Sequence, residues 1–209
     1  MAIKLYDYFR SSASYRVRIA LNLKGLAYEA VDVSLIDGAQ KKPEHLARNP
    51  QGFVPSLDVD GTIINQSLAI IDWLDARYPS PRLIPSDPDK RAQTLAQSMV
   101  IMADIHPVNN LRILQYLKKE FGASQDKVDE WYRHWIREGF VALEAMAPDT
   151  RFFGGETPNL TDVCLVPQMY NARRFETDID DFPKLLRIDE ACREIDAIVS
   201  ASPEAVQQK

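Results

Sequence analysis

Two adjacent hydroxyls, Ser11 and Ser12, lie in the segment "RSSASYRVRIALNLKG" (residues 10–25). The segment contains no histidine, cysteine or carboxylate that could activate a serine as a nucleophile. The chain has no G-x-S-x-G, and its three histidines show no partner pattern (His45, His106 and His134). Hydroxyls and free N–H groups at the start of a helix instead favour an anion. The two serines are therefore interpreted as hydrogen-bond donors to an anion, with simple helix capping as the alternative.

A second polar pair, Gln66 and Ser67, directly precedes another predicted helix and repeats this arrangement. Between the two pairs, Val54-Pro55 opens a strand-like run, where proline cannot donate to a sheet. A cis bond there would turn the Val54 backbone outwards, where it could pair with an extended ligand. Capping at Ser67 and an ordinary strand-start proline are the alternatives. Together these features favour a peptide with an acidic end.

A third polar group occurs in "HPVNNLRILQYL" (residues 106–117). His106 and Asn110 are four positions apart, so a continuous helix would place them on one face. Arg112 follows within the same two turns, and Pro107 would loosen the helix. The alternative is that His106 has a structural role.

The elements that position these groups change character near residue 80. Before it, the pattern predicts strands at 3–9 and 28–35, a helix at 14–25 ending at Gly25, a hairpin at Asp60-Gly61 and a helix at 66–79 with Ser67 as its N-cap. The order β-α-β-(loop)-β-β-α predicts a small α/β domain with a mixed sheet of four strands.

After residue 80 almost every pattern is helical. A proline-rich linker leads to a helix opened by Asp87-Pro88, which is expected to run to about Phe121 with a kink at Pro107. Further helices are predicted from Ser124, from Asn159 with Asp162 as a capping box, and over 182–199.

The composition excludes several classes of function. The chain has 209 residues, 45% hydrophobic and 26% charged, with a net charge of -5, so no general nucleic-acid surface is expected. No segment approaches the ~20 apolar residues of a membrane span, and no secretory leader is apparent. Cys164 and Cys192 lack metal-site spacing and are expected to be buried thiols. A cytoplasmic protein without a metal is the expectation.

Five segments closely resemble the zeta-class glutathione transferases, the group that includes bacterial maleylacetoacetate and maleylpyruvate isomerases. They are "YFRSSASYRVRIALNLKG", "VPSL", "QSLAIIDWL", "HPVNNLRIL" and "LTDVCLVPQMYNARRF", in order and at the expected spacings. The resemblance implies the glutathione transferase fold: a thioredoxin-like α/β domain that binds glutathione (1–80), a linker (81–87) and an all-helical domain contributing the substrate pocket (88–209). It also implies glutathione as cofactor and a homodimer.

The resemblance assigns roles to individual residues. Ser11 and Ser12 would stabilise the glutathione thiolate, Val54 before a cis-Pro55 would pair with the cysteinyl backbone, and Gln66 and Ser67 would hold the γ-glutamyl carboxylate. Further glutathione contacts are assigned to Gln40, His106 and Asn110, and substrate carboxylates to Arg10, Arg112 and Arg174, with Arg173 the weaker candidate of its pair. Ala13 departs from the family's S-S-C pattern, which puts any role of a protein thiol in doubt.

The activity implied is glutathione-dependent cis–trans isomerisation of a dicarboxylic cis-enone, first of all maleylacetoacetate to fumarylacetoacetate. Thiolate addition, rotation and elimination would return glutathione unchanged. The alternatives are maleylpyruvate isomerisation, conjugation or dehalogenation of α-halo acids, and a non-enzymatic binding scaffold. Three candidate arginines favour a dicarboxylic substrate, for which arginine geometry is suited.

Overall fold

The computed structural model describes residues 2–207, which divide into two compact units. The first unit contains residues up to Leu83 together with the segment from Arg193 onwards, and the second contains Ile84–Cys192. The sequence pattern places residues 193–209 with the helices that follow residue 88. In the structure, the described residues of that segment, 193–207, belong to the α/β unit instead.

The first unit is built on a four-stranded mixed sheet in the order β2-β1-β3-β4. Its strands are β1 (Ile3–Asp7), β2 (Glu29–Asp32), β3 (Ser56–Val59) and β4 (Thr62–Asn65). The β1–β2 pair is parallel and the other two pairs are antiparallel, which confirms the predicted mixed sheet. Positive φ angles at Asp60 and Gly61 form the tight turn predicted between β3 and β4.

Three helices complete this unit before the linker: α1 (Ser12–Leu23), α2 (Pro43–Arg48) and α3 (Ser67–Arg77). Alternate residues of β1 are buried, and the fully buried core includes Leu5 of β1, Leu57 of β3, Leu21 of α1 and Leu74 of α3. Gly25, with φ of 64°, follows the end of α1 as predicted. A short 3-10 turn, Ala39–Lys41, precedes α2.

The second unit is helical. It contains α4 (Pro88–Met99), α5 (His106–Val108), α6 (Leu111–Phe121), α7 (Gln125–Met146), α8 (Leu160–Arg174) and α9 (Pro183–Cys192). The predicted caps at Asp87, Ser124 and Asn159 are confirmed, including the reciprocal capping box with Asp162. Two short helices in the first unit follow, α10 (Asp196–Val199) and α11 (Pro203–Gln207), so the single helix expected over 182–199 is divided.

The expectation of one continuous helix from 88 to 121 is wrong. The chain changes to a π-helical turn at Val100–Ile105 and the helix ends after Val108. Gly139 of α7 explains the close packing of this turn, because a Cβ on Gly139 would collide with the Ile105 side chain. His106 and Asn110 are consequently not on one face of a single helix, since Asn110 is the N-cap of α6.

Candidate functional site

The start of α1 is an N-terminus with two hydroxyls. Ser11 is the N-cap, and its Oγ accepts a hydrogen bond from the Ser14 N–H at 3.2 Å. Ser12 is the first helical residue and is 9% exposed. Because Ser11 Oγ already accepts from the helix, the Ser11 hydroxyl proton can be donated to a ligand. Capping and anion binding are thus compatible at Ser11, where the sequence left them as alternatives.

The Val54-Pro55 peptide bond is cis, as predicted. Val54 packs with Tyr8 and Val33 in a buried cluster that lies against Phe9 and Leu35. This cluster connects the end of β1, which leads directly to Ser11, with the loop that carries Val54. Within residues 2–207 the structure gives no hydrogen bond to the Val54 backbone N–H or C=O. Both groups therefore remain available to an extended ligand.

Gln66, and not Ser67, is the N-cap of α3, so the predicted cap is wrong by one residue. Gln66 has φ of 73°, and its side chain forms no capping hydrogen bond. The amide instead donates to Gln51 Oε1 at 2.7 Å. The first turn of α3 therefore receives no acceptor from its cap residue, a condition in which a helix N-terminus attracts an anion. Ser67, the first helical residue, is 5% exposed.

Gln40 lies in the 3-10 turn before α2, and its Oε1 is buried without a hydrogen-bond partner among residues 2–207. Gly52 holds this turn against the following loop: a Cβ on Gly52 would lie 2.9 Å from the Gln40 carbonyl oxygen. Lys41 Nζ donates to the Gln51 carbonyl at 3.1 Å and strengthens the same contact. An unsatisfied buried acceptor is costly, which makes the Gln40 amide a candidate to bind a donor from a ligand.

In the second unit, His106 begins α5 and is half-buried. Asn110 Oδ1 accepts from the Arg112 N–H at 3.2 Å, so the amide nitrogen of Asn110 keeps both of its protons for a ligand. Arg112 is exposed in the first turn of α6. The break after Val108 places these residues at a helix end and a helix start instead of along one helix.

The structure distinguishes the arginines that the resemblance pairs. Arg173 Nη2 lies 2.6 Å from Oδ2 of Asp189, a carboxylate that is 1% exposed. Arg174 lies over the Phe175 ring at 4.6 Å and interacts with the hydroxyl of Tyr132. Arg173 therefore has a structural partner, which agrees with Arg174 as the better candidate for a substrate carboxylate.

Tyr132 and Arg10 differ sharply in their surroundings. Burial raises the pKa of Tyr132 to about 12, so its phenol stays protonated beside Arg174. Arg10 is exposed in the turn before α1, with its guanidinium over the Phe9 ring at 5.0 Å. Ala13 is half-buried in the first turn of α1, so no thiol is present at that position.

Sequence reasoning missed three residues that contact the candidates. Gln51 holds the Gln66 amide, Tyr132 accompanies Arg174, and Arg16 donates from Nη1 to Ser67 Oγ at 3.4 Å. The predicted buried thiols are confirmed at Cys164 and Cys192. The unusual density of arginines in α1 was a visible signal for Arg16, whereas nothing in the local pattern singles out Gln51 or Tyr132.

Residues 2–207 contain neither a cluster of metal ligands nor a helix suited to span a membrane. These residues contain no group of three or more His, Cys, Asp or Glu side chains placed to hold a metal ion. Nor does any helix among them combine the length and apolar character needed to cross a bilayer.

The profile of the glutathione S-transferase N-terminal domain matches residues 5–82. Along the whole length, the chain is 48% identical over 209 aligned residues to a probable maleylacetoacetate isomerase of Vibrio cholerae, covering 98% of this chain and 97% of that protein. A holo structure of a maleylpyruvate isomerase, described as a bacterial zeta-class glutathione S-transferase, superposes with a TM-score of 0.94 at 45% identity and covers 97% of both chains. This chain is a zeta-class glutathione S-transferase.

One similar structure contains ligands in its active site. A maleylacetoacetate isomerase from Anaeromyxobacter dehalogenans, solved with dicarboxyethyl glutathione and citrate in its active site, has a TM-score of 0.86 and 38% identity. The match covers 98% of this chain and 92% of that one. The predicted fold class, a thioredoxin-like α/β part with a helical remainder, is confirmed for this zeta-class chain.

Proposed function

We propose that this chain is a glutathione-dependent cis–trans isomerase of dicarboxylic cis-enones, with maleylacetoacetate as the first substrate and fumarylacetoacetate as the product. The observation that carries the proposal is the start of α1, where two serines meet a helix N-terminus with no histidine, cysteine or carboxylate in residues 10–25. Such a site stabilises an anion brought by a ligand and does not generate a nucleophile of its own.

The first unit fits glutathione at three places. The first turn of α3, with Gln66 and Ser67, suits the γ-glutamyl carboxylate. The backbone of Val54 before cis-Pro55 suits the cysteinyl peptide group. Gln40 offers a buried acceptor that has no partner within the described chain, suited to an N–H of the tripeptide. In this proposal residues 1–80 bind glutathione, 81–87 link, and the helical part from 88 onwards holds the substrate.

Bound glutathione supplies a thiolate that can add reversibly to a conjugated double bond and allow it to rotate. The chain's contribution is to keep that sulfur ionised. Ser11 has a proton to donate because its oxygen accepts from the Ser14 N–H, and Ser12 begins the same helix. A donated hydrogen bond and the positive end of α1 both lower the pKa of a neighbouring thiol.

The substrate's two carboxylates require cations. Arg10, Arg112 and Arg174 are assigned to them, and all three are exposed. The Arg174 guanidinium is oriented by the Phe175 ring and the Tyr132 hydroxyl, which reduces the freedom it loses on binding. The dicarboxyethyl glutathione bound by the A. dehalogenans relative is consistent with a dicarboxylic ligand.

The proposal assigns the remaining glutathione contacts to the start of the helical part. His106 and the Asn110 amide are assigned to glutathione. Asn110 retains two donors for this role, because its Oδ1 already accepts from the Arg112 N–H.

An ultraviolet assay of the purified protein with each cis substrate tests the proposal. We expect maleylacetoacetate to isomerise only when glutathione is present, and glutathione to remain undiminished at the end. Isomerisation without glutathione would contradict the mechanism. Ser11→Ala and Ser12→Ala, assayed together with Ser200→Ala as a control in a different part of the chain, identify the hydroxyl that acts on the thiolate.

The same assay separates the remaining alternatives. Faster turnover of maleylpyruvate would reassign the substrate without changing the mechanism. Net consumption of glutathione with α-halo acids would favour conjugation, a reaction for which Ala13 removes no needed group. If the protein neither binds immobilised glutathione nor shows thiol-dependent turnover, the non-enzymatic scaffold becomes the better description.

We also propose a cytoplasmic homodimer with no nucleic-acid or membrane partner. The family resemblance and the net charge of -5 support this. Sedimentation equilibrium measures the assembly: a mass of twice 23.8 kDa is expected, and a single-chain mass would contradict it.

A further inference from the structure

Arg16 is an arginine buried in the interior of the first unit. It lies in the second turn of α1 and is only 2% exposed. Its Nη1 donates a hydrogen bond to Ser67 Oγ at 3.4 Å, across 51 positions of sequence. This bond joins the helix that carries the two anion-binding serines to the N-terminus of α3.

The bond determines what the Ser67 hydroxyl can do. A guanidinium has donors only, so Ser67 Oγ must accept from Arg16. The hydroxyl proton of Ser67 then has to point to a different acceptor. An ionised carboxylate can only accept, so a serine that binds one has to be in this donor state. The hydrogen bond from Arg16 thus favours an orientation of the Ser67 hydroxyl that can donate to a carboxylate.

Arg18 provides the contrast within the same helix. It is 1% exposed, and it binds both oxygens of Asp7, at 2.9 and 2.7 Å, and the carbonyl of Ala201 at 2.9 Å. These partners belong to the scaffold and not to the residues assigned to glutathione. Arg16 differs from Arg18 in that it contacts a residue assigned to the ligand.

We propose that Arg16 is a positioning residue for the γ-glutamyl carboxylate of glutathione. It holds the Ser67 hydroxyl as a donor and places a permanent positive charge behind the N-terminus of α3. This inference rests on the proposed function, because it takes the ligand at Ser67 to be that carboxylate.

The test compares two ligands by calorimetry: glutathione, and glutathione in which the α-carboxylate of the γ-glutamyl residue is a carboxamide. For the wild-type protein we expect glutathione to bind more tightly, by a factor on the order of ten, because charge-assisted hydrogen bonds are lost with the amide. In Arg16→Met the preference should fall clearly below the wild-type ratio, to what the N-terminus of α3 supplies without Arg16. The kcat at saturating glutathione should stay within about twofold of wild type while the KM for glutathione rises.

Four further variants separate positioning from structure. Ser67→Ala should reduce the preference between the ligands, and adding Arg16→Met to it should cost less than Arg16→Met costs alone, because the part of the effect that acts through the Ser67 hydroxyl is already lost. Arg16→Lys, which retains a donor and a charge without the planar fork, should show an intermediate preference. Arg18→Met, the matched control, should lower the midpoint temperature of unfolding but keep the wild-type preference ratio.

The outcomes are distinct. An unchanged preference ratio in Arg16→Met, or equal weakening of both ligands together with a lower midpoint temperature, overturns the proposal. If Arg16→Met does not fold, Arg16→Lys decides, and a wild-type ratio there overturns it. A wild-type protein that binds neither ligand refutes the proposed function instead, independently of Arg16.

Discussion

Replacing Lys24 by Met should destabilise the first unit strongly. The Lys24 side chain is fully buried at the end of α1, and its ammonium lies 2.6 Å from the Asp75 carboxylate. It also donates to the carbonyls of Tyr78 and Pro81, at 2.7 and 2.8 Å. All three of its protons are therefore used, which is the condition under which a buried ammonium is tolerated.

The magnitude follows from what the substitution leaves behind. Asp75 has a side chain only 3% exposed; it would keep its hydrogen bond from the Leu83 N–H but lose the ammonium that balances its charge. Removing one member of a buried ion pair costs about 3–5 kcal/mol. Lys4→Met is the matched control, because Lys4 and Glu29 form a pair with side chains 43% and 60% exposed. The loss there should be much smaller, because solvent screens an exposed ion pair.

Urea unfolding followed by both circular dichroism and tryptophan fluorescence measures these differences, and coincident curves establish that a two-state free energy applies. Lys24→Met combined with Asp75→Asn should recover at least about 1 kcal/mol relative to Lys24→Met, since no buried charge is left unpaired. The reasoning is refuted if Lys24→Met costs no more than Lys4→Met, or if the double variant is less stable than the single one.

Three further predictions concern separate parts of the chain. Ser11→Ala should lower both the activity and the free energy of unfolding, the latter by about 1 kcal/mol, because Ser11 caps α1. Ser12→Ala should lower the activity with a smaller loss of stability, and equal stability of the two variants would contradict this. Arg174→Ala should raise the KM for the dicarboxylic substrate about tenfold, as measured by steady-state kinetics. Arg173→Ala should leave that KM unchanged but lower the midpoint of thermal unfolding, because it removes the ion pair with Asp189. Burial raises the pKa of Asp162 to about 6 in the folded protein, whereas the unfolded carboxyl has a pKa near 4. Between about pH 4 and pH 6 the folded state therefore binds a proton that the unfolded state has lost. The stability of the wild type relative to Asp162→Asn should therefore fall by about 3 kcal/mol as pH rises from about 3 to about 7, and a difference that is constant or rises would refute this.

Local signals in the sequence predicted much of the structure. The caps at Asp87, Ser124 and Asn159 depend on residues within one turn of each helix start, and all are present. The hairpin at Asp60-Gly61 depends on two residues that accept positive φ. These features could be predicted because the interacting groups are neighbours along the chain.

The features that could not be predicted depend on distant packing. The helix interruption at Val100–Ile105 lies against Gly139, which belongs to a different helix and leaves no room there for a Cβ beside Ile105. The cap of α3 is Gln66 and not Ser67 because Gln66 adopts positive φ while its amide binds Gln51. Sequence periodicity also cannot show that Arg16 is buried, since a charged residue between apolar ones is ordinarily expected to be exposed.

The return of residues 193–207 to the first unit has a consequence for synthesis and cleavage. The bond from Arg18 to the Ala201 carbonyl spans 183 positions, so the α/β unit cannot finish assembling until almost the whole chain has left the ribosome. The helical unit is an insertion in the sequence of the α/β unit, so it is synthesised in full before the last segment of the α/β unit. A protease that cuts once between residues 80 and 87 would not release either unit, because the chain crosses between them again near Cys192. Separating them would require a second cut.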